Sequence, residues 1–417
     1  MNPARTGAAL FLPCAGGTEA LLVDECHRLL GADAAVEPGR GGVTVHGDES
    51  AAMRLNLGSR LAQRVLWPLA AGDYRDEDDL YALARRVRWA DWIGPQHTLR
   101  VDTSARAAPL RSLHFAALRI KDAVCDALRE ATGARPGVDT RAPDLPLLLH
   151  LGERQATLYV DTSGEALFKR GWRDAGAAGQ EVKGEAPLKE TLAAAMLAAA
   201  GWHGRADDPP LFDPCCGAGT IAIEAAQLAC GIAPGLQRHF AFERLAPFRA
   251  HAAAWQAMRR AARERVHAPA VAVHAGDVSF RMTDFAARNA RRAGVGEAIA
   301  FKAADALQRP APADAGVLML NPPYGERIAP KGRGSAREGF ERAASAGEFF
   351  AALAAHWKRH YAGWTAWVLS PELQLPGLMR LKATRRVPMW NGPIECRLFR
   401  FDMVAGSARP RARPDAG

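Results

Sequence analysis

The sequence predicts an α/β protein, with a C-terminal doubly wound, Rossmann-like parallel sheet and a smaller N-terminal α/β module. Three observations carry this. From residue 191 onward, short near-continuous apolar runs alternate with helix-length stretches, the pattern of a parallel sheet covered on both faces. The first such run leads through a glycine-containing turn, DPCCGAGT, into a helical segment. The first 165 residues instead mix short alternating strands with amphipathic helices and show no repeat of fixed period.

In the N-terminal part, GGVTVHG and LPLLLHL read as strands, and ESAAMRLNLGSRLAQRVL and LHFAALRIKDAVCDALREATG read as amphipathic helices. No acid, base or nucleophile constellation stands out there, so residues 1–165 are expected to bind rather than to catalyse. Residues 166–190 are rich in Gly, Ala and charge without a sustained period and read as a linker. Within them Lys169, Arg170, Trp172 and Arg173 interleave cations with an aromatic ring, as phosphate and base contacts require. Residues 191–405 carry the strand runs PPLFD, AVAVHAGD, AIAFKAAD, GVLMLNPP and TAWVLSP, separated by helical stretches such as TIAIEAAQLA and RMTDFAARNARRAG. The tail from 406 to 417 is basic and reads as disordered.

Composition narrows the class of partner. With 48% hydrophobic and 24% charged residues, the 417-residue chain is neither disordered nor fibrous, and it is long enough for two or three globular units. A net charge of +9 favours a polyanion, nucleic acid first. The cysteines Cys14, Cys26, Cys125, Cys215, Cys216, Cys230 and Cys396 form no C-x-x-C pair, which argues for a reduced compartment and against structural zinc. The N-terminus lacks a signal-peptide core, and the run TLAAAMLAAAGW at 191–202 is too short to cross a bilayer. A cytoplasmic protein with no membrane association and no metal is the expectation.

Ligands of doubly wound sheets sit beyond the carboxyl ends of the strands. After PPLF, Asp213 ends a strand, Gly217 and Gly219 allow a tight turn with close backbone approach, and Thr220 opens a helix; Cys215 lies in the same loop. No Gly-Lys-Ser/Thr follows, which excludes a triphosphate loop, and the G-x-G-x-x-G of a dinucleotide fingerprint is incomplete. A small-residue turn beside a carboxylate suits a ligand with a cationic amino-acid end. Asp277 ends the second run, where a carboxylate can accept from both hydroxyls of a ribose, and Asp305 ends the third, where it could meet the exocyclic amine of an adenine.

The fourth run ends in Asn321-Pro322-Pro323-Tyr324. An exocyclic amine on a base is a poor nucleophile because its lone pair is delocalised into the ring. To attack a methyl electrophile it must be held in line with both hydrogens accepted. The Asn321 side-chain oxygen and the Pro322 carbonyl can accept them, and Tyr324 offers a flat face for the base. Such catalysis is orientation and electrostatics, without a strong general base. It needs no thiolate, so Cys215 and Cys216 read as loop-packing residues.

DPCCGAGT, the strand tips at Asp277 and Asp305, and NPPYGER together resemble class I S-adenosylmethionine-dependent methyltransferases that act on exocyclic base nitrogens. The segments IAPGLQRHFAFERL, FKRGWR, APLKETLAAAML and MWNGPIECRLFRF are similar to THUMP-domain rRNA guanine-N2 methyltransferases, the RlmL-like group. DESAAMRLNLGSRLAQRVLWPLA and LYVDTSGEALFKRGWR resemble the ferredoxin-like plus THUMP module of that group, and the likeness runs from about residue 10 to 403. It implies S-adenosylmethionine as cofactor, with Asp213, Cys215, Gly217, Gly219 and Thr220 around its methionine part, Asp277 at the ribose, Asp305 at the adenine and Asn321 beside the transferred methyl. Asn321, Pro322 and Tyr324 would hold the target guanine, and Glu326 and Arg327 match the end of the motif.

The implied partner is 23S rRNA or a large-subunit assembly intermediate, gripped by the N-terminal module. Ser279 departs from the family, where an acidic residue often stands, and is expected to affect helix capping more than cofactor choice. Some relatives carry a second, fused domain that makes 7-methylguanine; this chain stops short of it, so only the N2 activity is implied. Guanine-N2 methylation of tRNA, adenine-N6 methylation, and a non-catalytic ribosome-assembly factor remain open alternatives.

Overall fold

The computed structural model describes residues 7–173, 188–322 and 346–404. They divide into two units. One takes in Met1–Gln180, Lys189–Ala195 and Ile232–Val266, the other Glu181–Leu188, Met196–Gly231 and His267–Gly417.

The first unit is built on β1 (Ala8–Pro13), α1 (Glu19–Leu30), β2 (Val36–Gly39), β3 (Gly42–Gly47), α2 (Glu49–Gly58), β4 (Leu66–Asp73), α3 (Glu77–Arg85), β5 (Thr98–Ala105), α4 (Leu113–Thr132), β6 (Gly137–Val138), β7 (Leu145–Leu151) and β8 (Gln155–Asp161). Its eight strands form one sheet in the order β2-β3-β1-β4-β8-β7-β5-β6. Helix starts are chemically marked: Asp48, Asp76 and Ser112 each accept a first-turn N–H of α2, α3 and α4. The two strands and the helix α4 expected from alternation are present.

The helix expected to continue through SRLAQRVL stops at Gly58. The buried Glu25 carboxylate takes over the backbone there, accepting from Ser59 Oγ at 2.6 Å, Arg60 N at 2.8 Å and Leu61 N at 3.2 Å. A tertiary partner from α1 thus supplies what further helical turns would have supplied.

α5 (Glu190–Ala200) runs from the first unit into the second, whose elements are β9 (Leu211–Asp213) and α6 (Thr220–Ala229). The insertion that follows carries α7 (Ala252–Glu264) and belongs to the first unit. Its Gly235 N donates to Leu57 O at 2.9 Å and its Phe242 N to Thr162 O at 3.0 Å. Phe242 packs edge-on against Trp255 with ring centroids 4.9 Å apart, and Phe248 against Trp67 at 5.8 Å.

The second unit continues with β10 (Val273–Asp277), α8 (Phe280–Arg292), β11 (Ile299–Ala303), β12 (Gly316–Leu320), α9 (Ala346–His360), β13 (Trp364–Ser370), α10 (Leu375–Leu378), β14 (Arg385–Asn391) and β15 (Ile394–Asp402). The sheet order is β11-β10-β9-β12-β13-β15-β14. The strands β11 to β13 run parallel and β15 is antiparallel to both β13 and β14. The central strands are covered on both faces, as a parallel sheet requires: every residue of β12 is buried, and Leu318 and Leu320 pack with Phe350, Leu353 and Trp357 of α9, while the edge strand β11 is partly exposed. From β9 the chain first builds toward β10 and β11, then returns to place β12 on the other side. The order therefore reverses between β9 and β12, the switch point where such sheets open a ligand crevice.

Candidate active site

The strand ends predicted from sequence come together at that carboxyl edge. Asp213 is the last residue of β9 and Asp277 the last of β10, and the two strands are hydrogen-bonded neighbours. The turn after β9 is tied down by its own backbone: Cys216 N donates to Gly276 O at 2.8 Å and Gly219 N to Cys216 O at 2.7 Å. Gly217 N donates to Asp277 Oδ2 at 3.1 Å, and Ser279 N to Oδ1 at 2.9 Å. Ser279 caps α8 through Met282 N, the capping role expected of it. Gly217 and Gly219 take φ of +50° and +84°. At Gly219 an added Cβ would lie 3.0 Å from Ala286 Cβ, whereas at Gly217 no atom lies within 4 Å. The turn thus presents bare backbone to open space at Gly217 and packs tightly against α8 at Gly219. Thr220 is the first, buried residue of α6.

Both carboxylates are electrostatically exposed to their own burial. Desolvation pushes the Asp213 carboxyl well above its ordinary 3.8, with the N–H of Cys215 opposing and Asp277 adding to the rise. Desolvation also raises Asp277, opposed by the N–H groups of Ser279 and Gly217. No cation faces either group among the described residues. A carboxyl raised in the folded state adds stability that is complete below its unfolded value of 3.8 and is lost as pH rises through its folded value. Thermal melts of Asp213→Asn, which keeps the acceptor for Cys215 N, should therefore gain on wild type as pH rises from about 4 to 8. A difference that stays flat over that range would contradict this account.

Asp305 is half-buried and caps its own turn, accepting from Leu307 N at 2.8 Å and Gln308 Nε2 at 3.3 Å. Asn321 follows β12 directly, and its Oδ1 is buried with no hydrogen-bond partner among the described residues. Pro322 beside it is buried. Tyr324, Glu326 and Arg327, like Pro323 and the tail at 406–417, lie outside the described residues. Burial and nearby carboxylates raise both the Cys215 and Cys216 thiols, so neither is a thiolate near neutrality.

Arg309 was not anticipated. Its guanidinium stands 4.4 Å over the Phe212 ring of β9 and donates to Ala275 O of β10 at 3.1 Å, clamping the strands that carry Asp213 and Asp277. Its own carbonyl accepts from Tyr361 Oη at 2.9 Å and His356 Nε2 at 2.8 Å. A single arginine in a Pro/Ala-rich loop has no periodic signal. Arg309→Met should lower unfolding stability by about 1–3 kcal/mol by removing the guanidinium donor from the Ala275 carbonyl, measurable by urea titration.

The cation and aromatic cluster of the first unit is placed differently from the open surface expected. Trp172 and Arg170 are only 1% and 3% exposed. Arg170 donates to Leu167 O at 2.9 Å and Arg60 O at 2.7 Å, Arg173 pairs with Glu190 at 2.5 Å, and Lys169 pairs with Glu165 at 2.9 Å. The cations are drawn to the carbonyls and carboxylates of a chain reversal. Arg238 from the insertion joins them, donating to the carbonyls of Glu165, Ala166 and Lys169. Of the four, Lys169 alone is exposed.

Comparison with known proteins matches this architecture. An RlmL ferredoxin-like domain matches residues 9–66 and a THUMP domain residues 74–161. The chain is 38% identical over 405 residues to the "Ribosomal RNA large subunit methyltransferase K/L" of Syntrophotalea carbinolica, covering 94% of this chain and 53% of that protein. It thus spans about half the length of the curated relatives it matches. The structure of a predicted N6-adenine-specific DNA methylase from Listeria monocytogenes is 27% identical, with a TM-score of 0.78 over 95% of this chain and 96% of that one. That of SMU.472 complexed with SAH has a TM-score of 0.81 at 24% identity, over 95% of this chain and 98% of that one. The model of the RMKL-like methyltransferase domain matches residues 178–400, more than half of the chain, and the chain belongs to that family.

Proposed function

We propose that the protein transfers a methyl group from S-adenosylmethionine to the exocyclic N2 of a guanine in 23S rRNA, acting in the cytoplasm on the RNA or on a large-subunit assembly intermediate. The observation that carries this is Asn321 Oδ1, a buried acceptor without a partner among the described residues, at the end of β12 on the crevice where the strand order reverses.

The residues fit the cofactor. At Gly217 the turn offers backbone to open space that a Cβ would fill, and the buried Asp213 and half-buried Asp277 lack a cation among the described residues. Asp213 and the turn from Cys215 to Thr220 suit an ammonium-bearing end, Asp277 a vicinal diol, and Asp305 an exocyclic amine. Bound S-adenosylmethionine supplies an electrophilic methyl on a positively charged sulfur.

The chain's own part is positioning. Asn321 Oδ1 and the Pro322 carbonyl accept the two N2 hydrogens, which localises the nitrogen lone pair and aims it. The cofactor would supply the methyl, and Asn321 Oδ1 and the Pro322 carbonyl would hold the two N2 hydrogens, one of which would leave as a proton to solvent. With Oδ1 already desolvated and held, little reorganisation is left for the reacting state. The ferredoxin-like and THUMP unit would grip structured RNA while one base is turned out of its stack. Lys169, the exposed member of its cluster, would be the one to touch a phosphate.

The test is nucleoside mass spectrometry of 23S rRNA and tRNA from a strain lacking the protein, complemented by wild type or Asn321→Ala. Loss of one N2-methylguanosine from 23S rRNA, restored by wild type alone, is expected. Loss from tRNA would move the substrate. A fall in N6-methyladenosine instead would favour the base named for the Listeria relative and keep the role of Asn321.

A further inference from the structure

The β14–β15 hairpin extends past the carboxyl edge of the parallel strands. Leu320 of β12 is level with Val368 of β13, and Ser370, the last residue of β13, is level with Arg397 of β15 and Pro388 of β14. Beyond that level the hairpin continues through three more pairs, Met389 with Cys396, Trp390 with Glu395 and Asn391 with Ile394. It therefore rises about 10 Å past the end of β13. Its tip lies three strands from Asn321, a lateral distance of about 14 Å, within reach of a few nucleotides. The rim is unusually apolar for an enzyme surface: Leu373, just after β13, is 55% exposed, Ile394 is 38% exposed, Pro393 is exposed and Trp390 is half-buried.

The approach to this tip is basic. Arg380, Lys382, Arg385 and Arg386 are all exposed, and none forms an ion pair among the described residues. Arg386 sits 5.9 Å over Phe399, and Arg385 donates to Ala199 O at 3.3 Å. Trp390 pairs with Glu395, and Arg386 with Phe399, so Trp390 and Arg386 share one face of the hairpin.

We propose that this basic edge and its extended tip bind the single-stranded RNA flanking the target base, with the cations on phosphates and Trp390 stacked on a neighbouring nucleotide. The inference rests on the proposed function and names where in the methyltransferase unit the substrate strand runs. Unpaired cations meeting an aromatic at the mouth of a crevice suit a strand that is charged along its backbone and flat at its bases. An apolar protein segment would leave four cations without a counter-charge. Because β14 is the terminal strand of the sheet, its charges also have a structural use, keeping the open edge from pairing with another chain. The two uses make different predictions.

Full-length wild type, Arg385→Gln/Arg386→Gln, Trp390→Ala, Trp390→Phe and Asn321→Ala would be compared on an in vitro transcript of 23S rRNA. For the double arginine variant, KM for RNA should rise roughly tenfold with kcat little changed, and the slope of log affinity against log salt should shrink by about 1–2. Trp390→Ala should lose roughly tenfold in kcat/KM, and Trp390→Phe should recover most of it. All five should bind S-adenosylhomocysteine within a fewfold of one another by calorimetry, which excludes misfolding. Unchanged KM and salt slope, with self-association of the double variant in ultracentrifugation, would overturn the inference and leave edge protection as the only role. Wild type that methylates no RNA would remove the proposed function. In that case an edge-dependent RNA affinity would still support the RNA track, and its absence would remove that as well.

Discussion

Asn321→Ala is expected to lower methyl transfer by roughly 100- to 1000-fold, the range for deleting one preorganised polar group aimed at a reacting atom. The expectation comes from the state of the side chain. Its Oδ1 is desolvated and unpartnered among the described residues, so the cost of burying it is already met by the fold and the substrate amine receives an acceptor that needs no reordering. Ala removes the acceptor and leaves a small cavity, and the Pro322 carbonyl remains to hold one hydrogen. S-adenosylhomocysteine affinity should stay within a fewfold, because the other groups expected at that ligand, on β9, β10, the turn after β9 and at Asp305, are untouched. KM for RNA should move little. An equal fall in cofactor affinity and rate would place Asn321 in cofactor binding instead. Asn321→Asp keeps an acceptor but adds a charge to a crevice already holding the desolvated carboxyls of Asp213 and Asp277, and it should remain at least tenfold below wild type.

The C-terminal sheet was legible because its central parallel strands are largely buried on both faces and so are written as near-continuous apolar runs, whereas the edge strand β11 is covered only in part. Gly316–Leu320 is the clearest case, with all five residues buried. Asp213, Asp277 and Asn321 stand out in the sequence for the same reason: they break such runs at their carboxyl ends.

What the sequence hid is tertiary. SRLAQRVL continues a helical period, yet Glu25, some 34 residues upstream, captures the backbone after Gly58 and ends the helix. FKRGWR reads as an open cation and aromatic cluster, but Arg170 finds carbonyls from both ends of a reversal and Trp172 is buried with it. The segment 232–266 sits between strands of the second unit in sequence and packs its aromatics into the first. Arg309 gains its function only from the proximity of Phe212 and Ala275, which no spacing reveals. In each case the deciding partner is distant in sequence, and local pattern carries no record of it.

The two glycines of the turn after β9 should fail in opposite ways when replaced by valine. At Gly219 the residue would occupy φ +84° and place its Cβ 3.0 Å from Ala286 Cβ and 3.4 Å from both Ala286 Cα and Ile223 Cδ1. Left-handed strain and overpacking against α8 should together lower unfolding stability by about 2–5 kcal/mol, enough to unfold a marginal unit. At Gly217 the strain remains, but an added Cβ meets no protein atom within 4 Å, so the stability loss should be only about 1–2 kcal/mol. The methyl groups introduced by Gly217→Val would instead enter the space assigned to the cofactor, beside the N–H that Gly217 donates to Asp277. S-adenosylhomocysteine affinity should then fall roughly tenfold to hundredfold, as overpacking of about 1–3 kcal/mol implies. Calorimetry and urea titration on the pair separate the two effects. If Gly217→Val bound the ligand as wild type does, the open side of the turn would not be where the cofactor lies, and the crevice at Asn321 would need a different occupant.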